Sequence, residues 1–121
     1  MTKEMTFSDI PWTEIIRESA DYIVFADGFA VTEGHRLFVP RSNTAYFIGR
    51  CLESALYEGT RMVADGECDG FNVGLNYGES AGQTCMWPHV HLIPRRNGDM
   101  DDPRGGVRHV IPAKGNYLKG T

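Results

Sequence analysis

A stripe of apolar residues from about Thr44 to Ala64 limits the folds open to this chain. Phe47, Ile48, Cys51, Leu52, Ala55, Met62 and Val63 recur at i, i+3, i+4 spacing, the period of one helix face. Arg50, Glu53 and Glu58 fall largely outside the stripe, and Gly59 interrupts it where another backbone is expected to pack closely. Short β-rich runs flank this helix. Tyr22-Ile23-Val24-Phe25 and Arg36-Leu37-Phe38-Val39 precede it. Phe71, Val73 and Leu75 alternate with polar or small residues after it, and Thr84 to Pro94 reads as the last long strand. Ser8-Asp9-Ile10-Pro11 resembles a helix start, with Trp12, Ile15 and Ile16 following at helical spacing. One short helix, one long helix and a mostly antiparallel sheet make an α+β fold. In 121 residues they form one domain.

Composition excludes several functions. With 41% apolar and 23% charged residues, the chain resembles an ordinary globular protein. The N-terminal residues Met1 to Thr6 are polar, and neither a signal peptide nor a membrane span is expected. Cys51, Cys68 and Cys85 are odd in number and form no Cys-x-x-Cys pair, so reduced thiols and a cytoplasmic location are expected. A net charge of −4 argues against general nucleic-acid binding. The charge is uneven, −7 over residues 1–94 and +3 over residues 95–121. The basic end carries Arg95, Arg96, Arg104, Arg108, Lys114 and Lys119. It is either a solvated, irregular tail or a source of positive charge for a multiply phosphorylated ligand.

The chemistry concentrates in Gln83-Thr84-Cys85-Met86-Trp87-Pro88-His89-Val90-His91-Leu92-Ile93. On an extended run the odd positions share one face and Met86, Val90 and Leu92 share the other, which reads as core. Two imidazoles on one face can divide the labour at phosphorus, one as nucleophile and one as hydrogen-bond donor. The nucleophile needs its other nitrogen held as N–H by an acceptor, which a backbone carbonyl can supply. Asn76 to Gly82, just upstream, is a polar Gly-containing loop suited to an anion. A metal set of Cys85, His89 and His91 is the alternative, but it lacks a fourth ligand and matches no usual structural zinc spacing.

These residues resemble the histidine triad (HIT) superfamily of nucleotide hydrolases and transferases. Gly82-Gln83-Thr84 stands in register with Trp87-Pro88-His89-Val90-His91-Leu92-Ile93, and Asn76 precedes Trp87 by the family's spacing. Gly34-His35-Arg36-Leu37-Phe38-Val39-Pro40 is similar to the family's Gly-His-x-Leu strand, with Asp27 upstream of His35 where many members place a ribose-binding Asp. The resemblance implies a HIT-like fold with a mostly antiparallel sheet of five strands or slightly fewer, His89 as nucleophile and His91 as its catalytic partner. It implies a phosphate cradle of Asn76, Gly82, Gln83 and Thr84, with Asp27 on the ribose. Phe25, Trp12 and Ile15 are expected to form the base pocket, with His35 and Trp87 supporting the histidines. Two departures stand out. Trp87 occupies the place of the first triad histidine, and the short interval from Glu18 to Phe25 suggests that an N-terminal strand is reduced or absent. Pro88 inside the expected strand is also unusual, since it removes a ladder N–H.

Leu92-Ile93-Pro94-Arg95-Arg96 resembles the branch that cleaves dinucleoside polyphosphates such as diadenosine tetraphosphate and releases a nucleoside monophosphate. Two alternatives remain, a phosphoramidate or aminoacyl-adenylate hydrolase, and a nucleotide-binding module without catalysis. The expected partners are a nucleotide and a second copy of the chain in a homodimer. No cofactor or metal is required, with Mg²⁺ accompanying a polyphosphate substrate.

Overall fold

The computed structural model describes residues 4–118; Met1, Thr2, Lys3 and Lys119 of the sequence argument lie outside the described residues. Five strands form one sheet: β1 (Ile15–Glu18), β2 (Tyr22–Ala26), β3 (Arg36–Pro40), β4 (Gly70–Gly74) and β5 (Val90–Arg95). Their spatial order is β1-β2-β3-β5-β4, with every neighbouring pair antiparallel. The long helix α1 (Ala45–Ala64) links β3 to β4, and β5 returns between them. Thr44 caps α1 by accepting from the Phe47 N–H, as the Thr44 boundary predicts.

The sheet has two covered faces because side chains alternate along each strand. Tyr22, Val24, Phe38, Val90 and Leu92 pack on Cys51, Ala55 and Met62 of α1. Ile23, Phe25, Leu37, Val39 and Trp87 face the other way, under Met5, Phe7, Ile10 and Trp12. Glu58, expected outside the apolar stripe, is buried. It joins α1 to the sheet through Arg17 at 2.6 Å and Arg36 at 2.9 Å. At Gly59 the close neighbour is a side chain, not a backbone: an added Cβ would meet the Phe71 ring at 2.6 Å.

Four expectations need correction. The N-terminal helix is a single 3-10 turn, Phe7–Asp9, in which the Asp9 carboxylate accepts from the Thr6 N–H. Ile10 is extended ahead of Pro11, which stops any longer helix. Ile15 and Ile16, read as helical, lie in β1 because the edge of β2 is open to them, so the N-terminal strand is present. The last strand starts at Val90 instead of Thr84, and Met86 is half exposed. Pro88 therefore precedes the strand. Where it can offer no N–H, the Trp87 indole donates to the Pro40 carbonyl at 2.8 Å. The C-terminal segment is more ordered than expected. A 3-10 turn (Gly106–Val110) leads into the short helix α2 (Pro112–Gly115), which is the only short α-helix among the described residues.

Candidate active site

The N-terminal segment and the C-terminal turn cover opposite ends of one sheet face, and the histidines lie between them. His91 is on β5, paired with Leu37 of β3. His35 sits just before β3, and Asp27 just after β2. Register thus brings together residues 56 apart in sequence.

His89 is held by its own backbone. Its Nδ1 lies 2.8 Å from the Trp87 carbonyl oxygen, which can only accept, so Nδ1 carries the proton and Nε2 keeps a lone pair. The Trp12 ring lies against this imidazole, with centroids 4.7 Å apart. Trp87 is fixed by its bond to Pro40 and by the Phe7 ring.

A backbone amide sets the second pair. The Val31 N–H can only donate, and it reaches His35 Nδ1 at 3.1 Å. A neutral His35 therefore carries its proton on Nε2, facing His91 Nδ1 at 2.9 Å and Asp27 Oδ2 at 3.2 Å. His91 accepts at Nδ1, so its own proton is on Nε2. Burial, reinforced by His89 and His35 and opposed by Asp27, pushes the His91 pKa down to about 4. Burial also lowers His35, against the pull of Asp27. His91 is therefore neutral at pH 7 and presents its Nε2–H, while His89 presents the Nε2 lone pair set by its bond to the Trp87 carbonyl.

The cleft of about 410 Å³ around them is also lined by Trp12, Asp27, Asn76, Gly82, Gln83 and Thr84. Gly78 and Gly82 take positive φ values of 94° and 90°, which lets residues 78–83 close on themselves. Gln83 is buried and spends its Oε1 on the Gly78 N–H at 2.8 Å, so it shapes the loop and leaves only its NH₂ for a ligand. Thr84 is exposed. Asp27 accepts from the Phe29 N–H at 2.7 Å as well as facing His35, so its carboxylate is already engaged at both oxygens.

Two of the residues expected in a base pocket are placed elsewhere. Phe25 is buried in the core beneath Trp12, and Ile15 is half exposed on β1; neither lines the cleft. Phe29, Val31 and Pro11 do line it, and sequence reasoning missed all three. The arginines assigned to distal phosphates are also elsewhere. Arg95 binds Asp99 and Asn72, Arg96 the Glu33 and Glu67 carbonyls, Arg104 binds Asp102, and Arg108 the Lys114 and Gly115 carbonyls. Neither they nor Lys114 line this cleft.

Cys85, His89 and His91 do not converge as a ligand set; Cys85 packs by Met5. Asp27, His35 and His91 do converge, with donor atoms 2.9, 3.2 and 3.9 Å apart. An ion about 2 Å from each would suit that triangle. It would need the His35 Nε2 lone pair, which the Val31 N–H denies by holding the proton there. The trio as arranged is a hydrogen-bonded relay.

The HIT domain family model matches residues 11–98, most of the chain, and takes in His35, His89 and His91. The chain belongs to the HIT family. An uncharacterised HIT-like protein of Saccharolobus solfataricus is 30% identical over 94 residues, 72% of this chain and 68% of that one. The Bacillus subtilis protein hit is 32% identical over 94 residues; the match spans 64% of that relative's length. Among solved structures, a zinc-bound histidine triad family protein from Mycobacterium smegmatis superposes with a TM-score of 0.66 at 27% identity. The match covers 76% of this chain and 71% of that one. This HIT protein shares the family's five-stranded sheet and long helix, and family membership supports a nucleotide-binding, hydrolase-type function.

Proposed function

We propose that this HIT protein hydrolyses a nucleotide at its α-phosphate through a covalent nucleotidyl-histidine. The observation that carries the reading is the 2.8 Å contact from His89 Nδ1 to the Trp87 carbonyl, which leaves Nε2 as a nucleophile in the cleft. That carbonyl survives whatever side chain stands at position 87, so Trp87 in place of a first triad histidine does not remove the orienting acceptor. His89 Nε2 attacks phosphorus as the bond to the leaving group breaks. His91 Nε2–H donates to a non-bridging oxygen or to the leaving atom. Water then attacks phosphorus and releases the nucleoside monophosphate and His89. Asn76, Gly82, Thr84 and the Gln83 amide hold the phosphate, Asp27 faces the ribose, and Trp12 and Phe29 line the nucleoside side. No metal is needed to make the nucleophile; Mg²⁺ would accompany a polyphosphate.

On dinucleoside polyphosphates the geometry gives less support than the sequence did. The arginines meant for the distal phosphates are committed to acceptors within the protein. That favours the second reading, hydrolysis of a phosphoramidate or acyl-adenylate.

Incubation with diadenosine tetraphosphate and, separately, adenosine phosphoramidate, with products read by chromatography, tests the proposal. His89→Ala should lose at least about 10³-fold in rate while keeping its circular dichroism spectrum. Turnover within about tenfold of wild type in that variant would sink the assignment.

A further inference from the structure

The two faces of the sheet are tied together at one peptide bond. Arg36 opens β3 two residues before Phe38, and like Phe38 it turns towards α1. There its Nη1 donates to Glu58 Oε2 at 2.9 Å, while its Nε donates to the Gly34 carbonyl at 2.8 Å. His91 lies between Val90 and Leu92, which face α1, so its ring is on the opposite side with Leu37 and the cleft. One guanidinium therefore connects the helix on one face to the backbone that carries His35 towards the other.

The grip matters because a peptide unit is planar. The Gly34 carbonyl and the His35 N–H belong to one rigid plane, and both are held. Arg36 holds the oxygen, and the N–H donates to the Thr32 carbonyl at 3.2 Å. Gly34 takes a φ of 88°, a left-handed conformation that suits glycine. The tilt of that plane sets where the His35 side chain leaves the backbone. Its ring has to meet the Val31 N–H at 3.1 Å and His91 Nδ1 at 2.9 Å together. Glu58 keeps Arg36 in place. It is 6% exposed, and its other oxygen is taken by Arg17 at 2.6 Å. Without that carboxylate the mostly buried Arg36 guanidinium would stand unpaired.

We infer that Glu58 and Arg36 are positioning residues for the cleft, resting on the hydrolase reading above for the use His91 makes of its proton. Neither lines the cleft. Acting through the sheet, they fix the Gly34–His35 peptide, and His35 in turn holds His91 as its Nε2–H tautomer.

The tautomer is read without substrate, from the imidazole nitrogen shifts of the ¹⁵N-histidine-labelled protein by NMR. Turnover of adenosine 5′-phosphoramidate is measured beside it. Arg36→Lys keeps a cation near Glu58 but has no planar fork to reach both acceptors. Glu58→Gln keeps the shape and removes the charge that holds Arg36. In both, His91 should change from a single Nε2–H form to a mixture of tautomers. The kcat should fall about ten- to a hundredfold, as for a misplaced catalytic group, with KM within about threefold. Arg17→Gln is the control. It removes the other partner of Glu58 and leaves Arg36 bonded, so tautomer and kcat should stay within about twofold of wild type. Should either single variant fail to fold, Glu58→Met combined with Arg36→Met decides, since it removes both buried charges together and still lacks a donor to Gly34. The wild-type tautomer in any of these three clamp variants would overturn the inference. So would an equal mixture in Arg17→Gln, which would make the effect a general loosening of the fold. If wild type cuts no amidate while the tautomer change appears, the hydrolase reading falls and the clamp stands.

Discussion

His91 ties the site to folding through a single proton. Its pKa falls from 6.5 to about 4 in the folded chain, through burial first and then its two histidine neighbours. The unfolded chain takes up this proton near pH 6.5 and the native one does not. Stability is therefore intact above that value, is lost as pH falls towards 4, and the loss is complete below it. A shift of this size corresponds to about 3 kcal/mol. The urea midpoint should drop more steeply between pH 6.5 and 4 in wild type than in His91→Gln, and equal slopes would remove His91 as the cause. Trp87 makes a different kind of prediction. Phe in its place leaves the Pro40 carbonyl without the indole N–H, a loss of about 1–3 kcal/mol in stability by denaturant titration. The acceptor for His89 is backbone, so on the proposed reaction kcat of the folded protein should fall by less than about tenfold, far short of His89→Ala. The His-x-His pair and its carbonyl acceptor were legible because they are local in sequence. The Val31 N–H that fixes His35 was not, since a backbone donor carries no residue signature.

At the scale of elements, α1 shows how much periodicity can and cannot say. Its span and cap follow from the apolar stripe and Thr44. Its partners do not, because a stripe shows which side is buried without showing what covers it. Gly59 marks the point where Phe71 of β4 presses on the helix. Gly59→Ala gains helix propensity of about 1 kcal/mol but drives a methyl into the ring, and overpacking of that kind costs about 1–3 kcal/mol. The net expected result is a lower melting temperature, restored by Phe71→Leu in the double variant; an unchanged or higher value in Gly59→Ala alone would mean that the ring yields freely. The β1 segment misleads for a related reason. Trp12, Ile15 and Ile16 fit a helical period, yet two β-branched residues beside an open strand edge gain more from pairing with Phe25 and its neighbours. The pairing of β3 with β5, which brings His35 to His91, lies in strand order and cannot be read from either strand alone.

At the scale of the whole molecule, the uneven charge was visible in the sequence but its use was not. The basic end meets its own Asp99 and Asp102, its own carbonyls at Lys114 and Gly115, and Asn72, Glu33 and Glu67 of the domain body. The family match stops at residue 98, so the Gly106–Val110 turn lies beyond the matched domain, and it lines a cavity of about 510 Å³ beside β4 and β5. The closure of this C-terminal flap depends on two glycines. Gly105 has φ of 100°, and an added Cβ would fall on the Gly115 carbonyl oxygen; a Cβ on Gly115 would strike the His109 ring, itself anchored to the Arg104 carbonyl at 2.9 Å. Gly105→Ala should therefore release the flap while leaving the five strands and α1 in place. Limited proteolysis should cut the variant faster within residues 98–116, with the circular dichroism of the sheet unchanged. Protection equal to wild type would show that the flap does not depend on this turn, and loss of the whole fold would show that the sheet depends on its roof.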